Sequence, residues 1–307
     1  MKPSKNPIFK LCFLLMIFFY SIPAVFADME GTIQSGDAQP RVDLAFFNKV
    51  LKPDDVCHGF VMNGINDVLD ILKARTEASK KTDFGKPVET DLILWAVGKP
   101  EKPWFTHVGG SPYRPKSSPW PVIQGSKAVF IMQWCFADSK DIVSKNLPGD
   151  VLLMFAGLEG QDSFIPDPEN IYFEWQKLGV QDISETVEPG TVKIPELHGC
   201  LFRFSEFPAS AESPDETIQM LAITQASRIG GDTRYIQNTF PKEDEVLLCT
   251  MNSIHFEPVI PYPFLNHPEP LEDKEDYDQY HLSIGDFGCL YVFLNKQGTI
   301  RSEWDCY

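Results

Sequence analysis

The sequence predicts an α+β protein: a mainly antiparallel β-sheet built from two related halves, preceded by an N-terminal helical segment. Three observations predict it. From residue 91 onward, short apolar runs rich in β-branched and aromatic residues alternate with Pro, Gly and Asp clusters. A Gly-Gly turn and the strands after it recur later in the same region. Ahead of that region, apolar residues fall at helical spacing.

Residues 1–27 read as a cleavable signal peptide. Lys2, Lys5 and Lys10 make a basic start, Leu11 to Tyr20 is apolar, and Ser21 and Pro23 break the stretch. Val25 and Ala27 are small enough to flank a cleavage point. A spanning helix needs about 20 apolar residues, and Leu11 to Ala27 is shorter and holds Pro23. The mature chain is therefore expected to have no transmembrane span and to be periplasmic or secreted. Cleavage removes three lysines and no acid, so 24 basic side chains face 43 acidic ones and the net charge goes from −16 to −19. Such a balance excludes nucleic acid as partner, since that needs a basic footprint, and favours a basic protein partner.

Residues 28–90 read as a leader and a helical segment that packs on the core. Leu44, Phe47, Val50 and Leu51, then Val61, Ile65, Val68, Leu69 and Leu72, recur at helical intervals over 43–75. Residues 76–90 are charged and expected to loop. Residues 91–307 form the duplicated domain. Its strands are expected at residues 92–97, 128–132, 151–155, 171–173, 201–204, 246–249 and 289–294. A later helix is expected over 212–225, where Ser213-Pro214-Asp215-Glu216 suits a helix start.

The repeat pairs His107-Val108-Gly109-Gly110-Ser111-Pro112-Tyr113 with Arg228-Ile229-Gly230-Gly231-Asp232-Thr233-Arg234-Tyr235. Strands ending at Gln133 and Thr250 follow, 117 residues apart. Leu147-Pro148-Gly149-Asp150 then corresponds to Ile284-Gly285-Asp286-Phe287-Gly288. On this alignment Asp150 and Asp286 match.

These residues resemble the YwqG-like bacterial domain of unknown function over roughly 91–307. The motifs are Gly109-Gly110-Ser111-Pro112, Trp120-Pro121, Phe130-Ile131-Met132-Gln133, Leu147-Pro148-Gly149-Asp150, Gly230-Gly231 with Gln237, and Gly285-Asp286-Phe287-Gly288. Thr233 stands where that family has proline and Thr250 where it has glutamine, and typical members lack a signal peptide and this many cysteines. The resemblance implies a largely antiparallel α+β architecture with duplicated halves. It supplies no established catalytic residues.

Loss of Cys12 with the signal leaves Cys57, Cys135, Cys200, Cys249, Cys289 and Cys306. An even count in an exported chain points to disulfides. Cys289 with Cys306, flanking one hairpin, is the best single pairing, worth about 3 kcal/mol in the entropic picture. Gly109, Gly110, Gly230 and Gly231 suit tight turns and would also let a ligand approach the backbone. Asp150 and Asp286 are the weak catalytic candidates: a converging carboxylate pair could act on a glycosidic bond, whereas two Gly-Asp turns would bond local amides. The acidic run over 269–278 reads as a solvated loop. No histidine or cysteine spacing makes a metal motif, so no metal and no cofactor is expected. The expected function is a non-enzymatic binding protein of the bacterial envelope, with a toxin-neutralising immunity protein as its specific form. The alternative is a carboxylate-dependent envelope hydrolase acting on glycan or peptide.

Overall fold

In a computed structural model of the chain, the described residues are 37–41, 86–143, 146–157, 168–184, 194–206, 227–233, 235–237, 239–254, 282–285 and 288–306. All lie within one compact unit, Ile33–Tyr307. Their regular structure is β-strand, apart from one 3₁₀ turn at Pro168–Asn170. The α+β class is therefore corrected to an almost all-β one, because the apolar runs bury themselves by pairing into a single sheet and no α-helix occurs among the described residues. The expected N-terminal helical segment over 43–75 and the helix over 212–225 lie outside the described residues, as do the signal segment, the acidic run, Cys57 and Asp286.

Ten strands form the sheet. They are β1 (Val88–Val97), β2 (His107–Val108), β5 (Val129–Cys135), β6 (Val151–Ala156), β7 (Ile171–Gln176), β8 (Leu197–Glu206), β9 (Arg228–Gly230), β10 (Glu245–Asn252), β11 (Cys289–Asn295) and β12 (Ile300–Asp305). A small separate hairpin joins β3 (Val122–Ile123) to β4 (Ser126–Lys127). Each of the seven expected runs overlaps a strand. β1 starts earlier than expected because Val88, Glu89 and Thr90, read as loop, pair with Glu206, Ser205 and Phe204.

The order β12-β11-β10-β9-β1-β8-β2-β5-β6-β7 has the same form read from either edge. The long antiparallel pair β1–β8 is the centre. On one side follow β2, β5, β6 and β7; on the other follow β9, β10, β11 and β12. The register makes the correspondence residue by residue. His107 lies between His198 and Gln133, and Arg228 lies between Leu92 and Thr250. Leu92 and His198 are thus equivalent, and each is two residues from the Leu94–Cys200 pair. A pseudo-twofold axis passes through that pair. The central strand of each half carries a bulge at the same place, between Phe130 and Met132 in β5 and between Leu247 and Cys249 in β10.

Both faces of the sheet are covered along β5, β6 and β11, which is why β6 is buried along its whole length, whereas the edge strands β7 and β12 are largely half-buried. In the first half Tyr113, Phe130, Leu153 and Phe155 form a core that Trp104 and Trp120 close. Its counterpart in the second half is Cys289, Tyr291 and Phe293, closed by Tyr235 and Leu247. The equivalent rings Phe155 and Phe293 each lie under an arginine. The Arg114 guanidinium carbon is 5.7 Å from the first ring, and that of Arg301 is 4.4 Å from the second. At one end β12 lies against the 3₁₀ turn that leads into β7, so the two edges of the sheet approach one another there.

The disulfide expectation is overturned. Cys135, Cys200, Cys249, Cys289 and Cys306 are all free thiols. Cys289 and Cys306 do flank a hairpin, but the residue opposite Cys289 is Asp305. A one-residue offset turns a strand side chain to the other face, so the two sulfurs point apart. Cys249 and Cys289 lie on neighbouring strands, yet Cys249 faces Val292 across the ladder. The odd spacing of residues 289 and 292 puts those two sulfurs on opposite faces.

A buried charge cluster sits under the central strands. Asp91 of β1 is wholly buried. It accepts bidentate hydrogen bonds from Arg41 (2.9 and 3.3 Å) and from Arg203 (2.7 and 3.0 Å), and a fifth from the Ser139 hydroxyl (2.7 Å). Burial works to raise the Asp91 carboxyl, and the bonds from Arg203, Arg41 and Ser139 outweigh it, so the group is held below the usual carboxylate range. Arg203 is shared with Asp141. Through Arg41 and the bond from the Leu201 amide to the Pro40 carbonyl (2.8 Å), the cluster fastens residues 39–41 alongside β8. Its only sequence signal is an aspartate inside an apolar strand.

Candidate functional site

The first Gly-Gly turn lines a cleft of about 190 Å³, walled by Gly98–Glu101 after β1, by Pro103, by His107–Ser111 and by Glu196 just before β8. Local chemistry shapes it. Gly109 and Gly110 have φ of 63° and 66°, which L side chains rarely adopt. The Gly109 amide donates to the Ile131 carbonyl (2.8 Å), which ties the turn to the β5 bulge. A Cβ on Gly109 would lie 2.3 Å from the Pro195 carbonyl oxygen. The glycine pair is thus a requirement of the turn, and it is also the place where backbone faces the cleft. Gly230 and Gly231 repeat the conformation, with φ of 67° and 81°.

His107 stands at the base of the cleft and is 3% exposed. Its Nδ1 is 2.8 Å from the Phe105 carbonyl oxygen and its Nε2 is 3.2 Å from that of Ser111. Burial pushes the imidazole down to about 4, against the opposing pull of those two carbonyls, and His198 nearby adds to the depression. Gln133, directly opposite His107, holds the surroundings. Its amide nitrogen donates to the carbonyls of Pro103 and Phe105 (2.9 Å each), and its amide oxygen accepts from the Tyr113 amide (2.9 Å). His198, on the other side of His107, has Nδ1 3.3 Å from the Gly98 carbonyl oxygen, and burial lowers its pKa. In the second half the same row reads Leu92, Arg228, Thr250, Tyr291 and Glu303. Arg228 and Thr250 are fully buried there.

The two carboxylates singled out from the sequence are not equivalent in the register. The Phe136 amide donates to the Asp150 carbonyl, and the Ser253 amide, 117 residues on, donates to the Gly288 carbonyl. Asp150 therefore corresponds to Gly288, two residues past Asp286, and Asp286 itself lies outside the described residues. The Asp150 side chain pairs with the Lys140 ammonium and accepts from the Leu178 amide (3.0 Å). Burial opposes its ionisation, but those partners hold its pKa below the ordinary value. The four buried thiols offer little nucleophile. Burial pushes Cys135, Cys200 and Cys289 up to about 12 and Cys249 well above its ordinary value. Among the described residues no group of three or more His, Cys, Asp or Glu is placed to hold a metal ion, and no helix among them is long and apolar enough to cross a membrane.

Sequence reasoning found Gly109 and Gly110 but missed His107, Gln133, Glu101 and Glu196 as their neighbours. The repeat carried a signal for the first two, since it matched His107 with Arg228 and Gln133 with Thr250. No protein-family model matches the chain, and a search of curated proteins also finds no match.

Proposed function

We propose that the protein is a non-enzymatic binding protein of the bacterial envelope whose partner is a basic protein. A toxin-neutralising immunity protein is the most specific form of that reading. The make-up of the cleft at the first Gly-Gly turn carries it. Among the described residues its walls are backbone, two prolines and the carboxylates of Glu101 and Glu196, with Lys99 the one cation. The imidazole at its base is buried and depressed to about 4, so it is a poor proton acceptor for catalysis. Carboxylates around exposed backbone suit the capture of a cationic segment. The charge of −19 left after loss of residues 1–27 would steer a basic partner toward the protein. The resemblance to YwqG-like domains supplies no competing activity.

Affinity capture from envelope fractions tests the reading. The expected result is a basic protein that is retained at low ionic strength and released as salt rises. In the immunity form, deletion of the gene abolishes protection against neighbouring strains. Capture of an acidic or neutral protein only, or of none, overturns the proposal.

A further inference from the structure

We propose that the slot beside β8 that holds Gln39-Pro40-Arg41 is a docking site for an extended, arginine-bearing segment of another protein, with residues 39–41 as its resident stand-in. The inference deepens the basic-partner reading and rests on it for the source of that segment.

The slot offers backbone bonds along its length and carboxylates at one end. The Gln39 amide donates to Asp138 Oδ2 (2.8 Å). The Gln39 side chain donates to the Gly199 carbonyl (3.3 Å) and accepts from the Thr106 hydroxyl (3.2 Å). The Leu201 amide donates to the Pro40 carbonyl (2.8 Å), so the segment lies parallel to β8 as a short added strand. Arg41 then forks onto Asp91 and donates to the Asp138 carbonyl (2.7 Å). Backbone bonds of this kind accept most extended chains; the charged end selects. Asp91, Asp138 and Asp141 gather there around Arg203, and Lys140 is engaged by Asp150 instead. One resident cation for three carboxylates leaves the end suited to a second. A guanidinium serves a carboxylate edge and a carbonyl at once, which the compact ammonium of lysine does less well.

The scaffold does not itself call for the segment, as the pseudo-twofold reveals. Trp95 is the equivalent of Leu201, three residues past Leu92 as Leu201 is past His198. Thr106 and Ser227 are equivalent too. Their carbonyls accept from the Gly199 and Ile93 amides (2.8 Å each), and their hydroxyls accept from the Cys135 and Asn252 amides (3.0 Å each). Where Gln39 meets the Thr106 hydroxyl in the first half, the Trp95 indole donates to that of Ser227 (3.3 Å) in the second. The second half fills this position with a side chain of the sheet; the first half fills it with a segment from outside. The hold on that segment is polar. Gln39 and Pro40 are buried, whereas Asp37 and Ala38 are exposed and Arg41 is half-buried. Such bonds exchange for those of an incoming strand at small net cost. Asp37 pairs with Lys102 (3.4 Å), in the loop whose Glu101 and Pro103 line the cleft, so one loop borders both slot and cleft.

The test is fluorescence anisotropy of a labelled heptapeptide, Gly-Asp-Ala-Gln-Pro-Arg-Val, which copies residues 36–42. Two further peptides carry lysine or alanine in place of the arginine. Each is titrated with the purified protein and with Gln39→Ala/Arg41→Ala, which loosens the resident segment. The expected result is saturable binding to the double variant and at least about tenfold weaker binding to wild type, where the tethered segment competes. Lysine weakens binding to the variant about tenfold, and alanine abolishes it. A urea transition checks that the double variant folds; if it does not, Arg41→Lys, which keeps the charge and loses the fork, is the deciding comparison. No saturable binding to the folded variant, equal binding of the alanine peptide, or no gain over wild type would overturn the slot. A basic partner captured equally by wild type and variant, with the peptides failing, would leave the binding reading standing. Peptide binding without any basic partner would do the reverse.

Discussion

Replacing Asp91 with Asn removes the anion that two arginines share beneath the central strands. The wild-type carboxylate receives five hydrogen bonds and its side chain is 0% exposed, whereas Arg41 and Arg203 are 32% and 31% exposed. Asn keeps one acceptor oxygen and turns an NH₂ group toward guanidinium and hydroxyl donors. Breaking a buried pair by removing one partner costs about 3–5 kcal/mol. The partial exposure of both arginines, and the Asp141 carboxylate that stays on Arg203, place the expected loss near about 3 kcal/mol. Urea unfolding followed by tryptophan fluorescence measures it as a shift in midpoint with unchanged slope. The pseudo-twofold provides a second arm. The register equivalents of Asp91 and Arg203 are Leu197 and Val97. The double variant Asp91→Leu/Arg203→Val, which copies the other half, should lose less than Asp91→Asn alone. The wild-type carboxyl is held below its unfolded value of about 3.9. Its stabilisation is therefore complete above that value and lost as pH falls through the folded pKa, and Asp91→Asn should flatten the acid limb of stability against pH. A loss under about 1 kcal/mol for Asp91→Asn, or a double variant worse than the single, would refute the reasoning.

Two other perturbations read the first turn. Gly109→Ala forces a Cβ to 2.3 Å from the Pro195 oxygen at a φ of 63°, so it should destabilise by at least about 2 kcal/mol in the same assay; a neutral outcome would show that the turn does not need the glycine. His107 has its folded pKa depressed to about 4 from 6.5. The unfolded state therefore binds the extra proton first, and stability should fall by up to about 3 kcal/mol as pH drops from 6.5 to 4. His107→Gln should remove that slope in unfolding titrations across the window; an unchanged slope would move the effect to other groups.

The strands were legible because each apolar run is bounded by turn formers, and a run such as Val151–Phe155 needs no knowledge of its partners. β2 and β9 have two and three residues, too few for any periodicity, and only the repeated Gly-Gly pairs marked them. The matching of Asp150 with Asp286 failed because likeness of Gly-Asp steps is not register. The ladder sets equivalence through backbone bonds, and it puts Gly288 at that place. Counting cysteines failed for a related reason, since an even number says nothing about which face each sulfur occupies. The cleft was out of reach because Glu196 joins Gly110 only after the whole of β5, β6 and β7 has been laid down between them.

The two halves share a scaffold, and they divide at the row that crosses the Gly-Gly strands. At one position the first half has His107 and the second Arg228; beside it stand Gln133 and Thr250. A neutral imidazole offers a lone pair, whereas a guanidinium offers donors only. Arg228 is fully buried, so its charge belongs to the core of the second half. The fold therefore presents the same Gly-Gly turn twice, set beside a neutral, buried imidazole in one half and a buried guanidinium in the other.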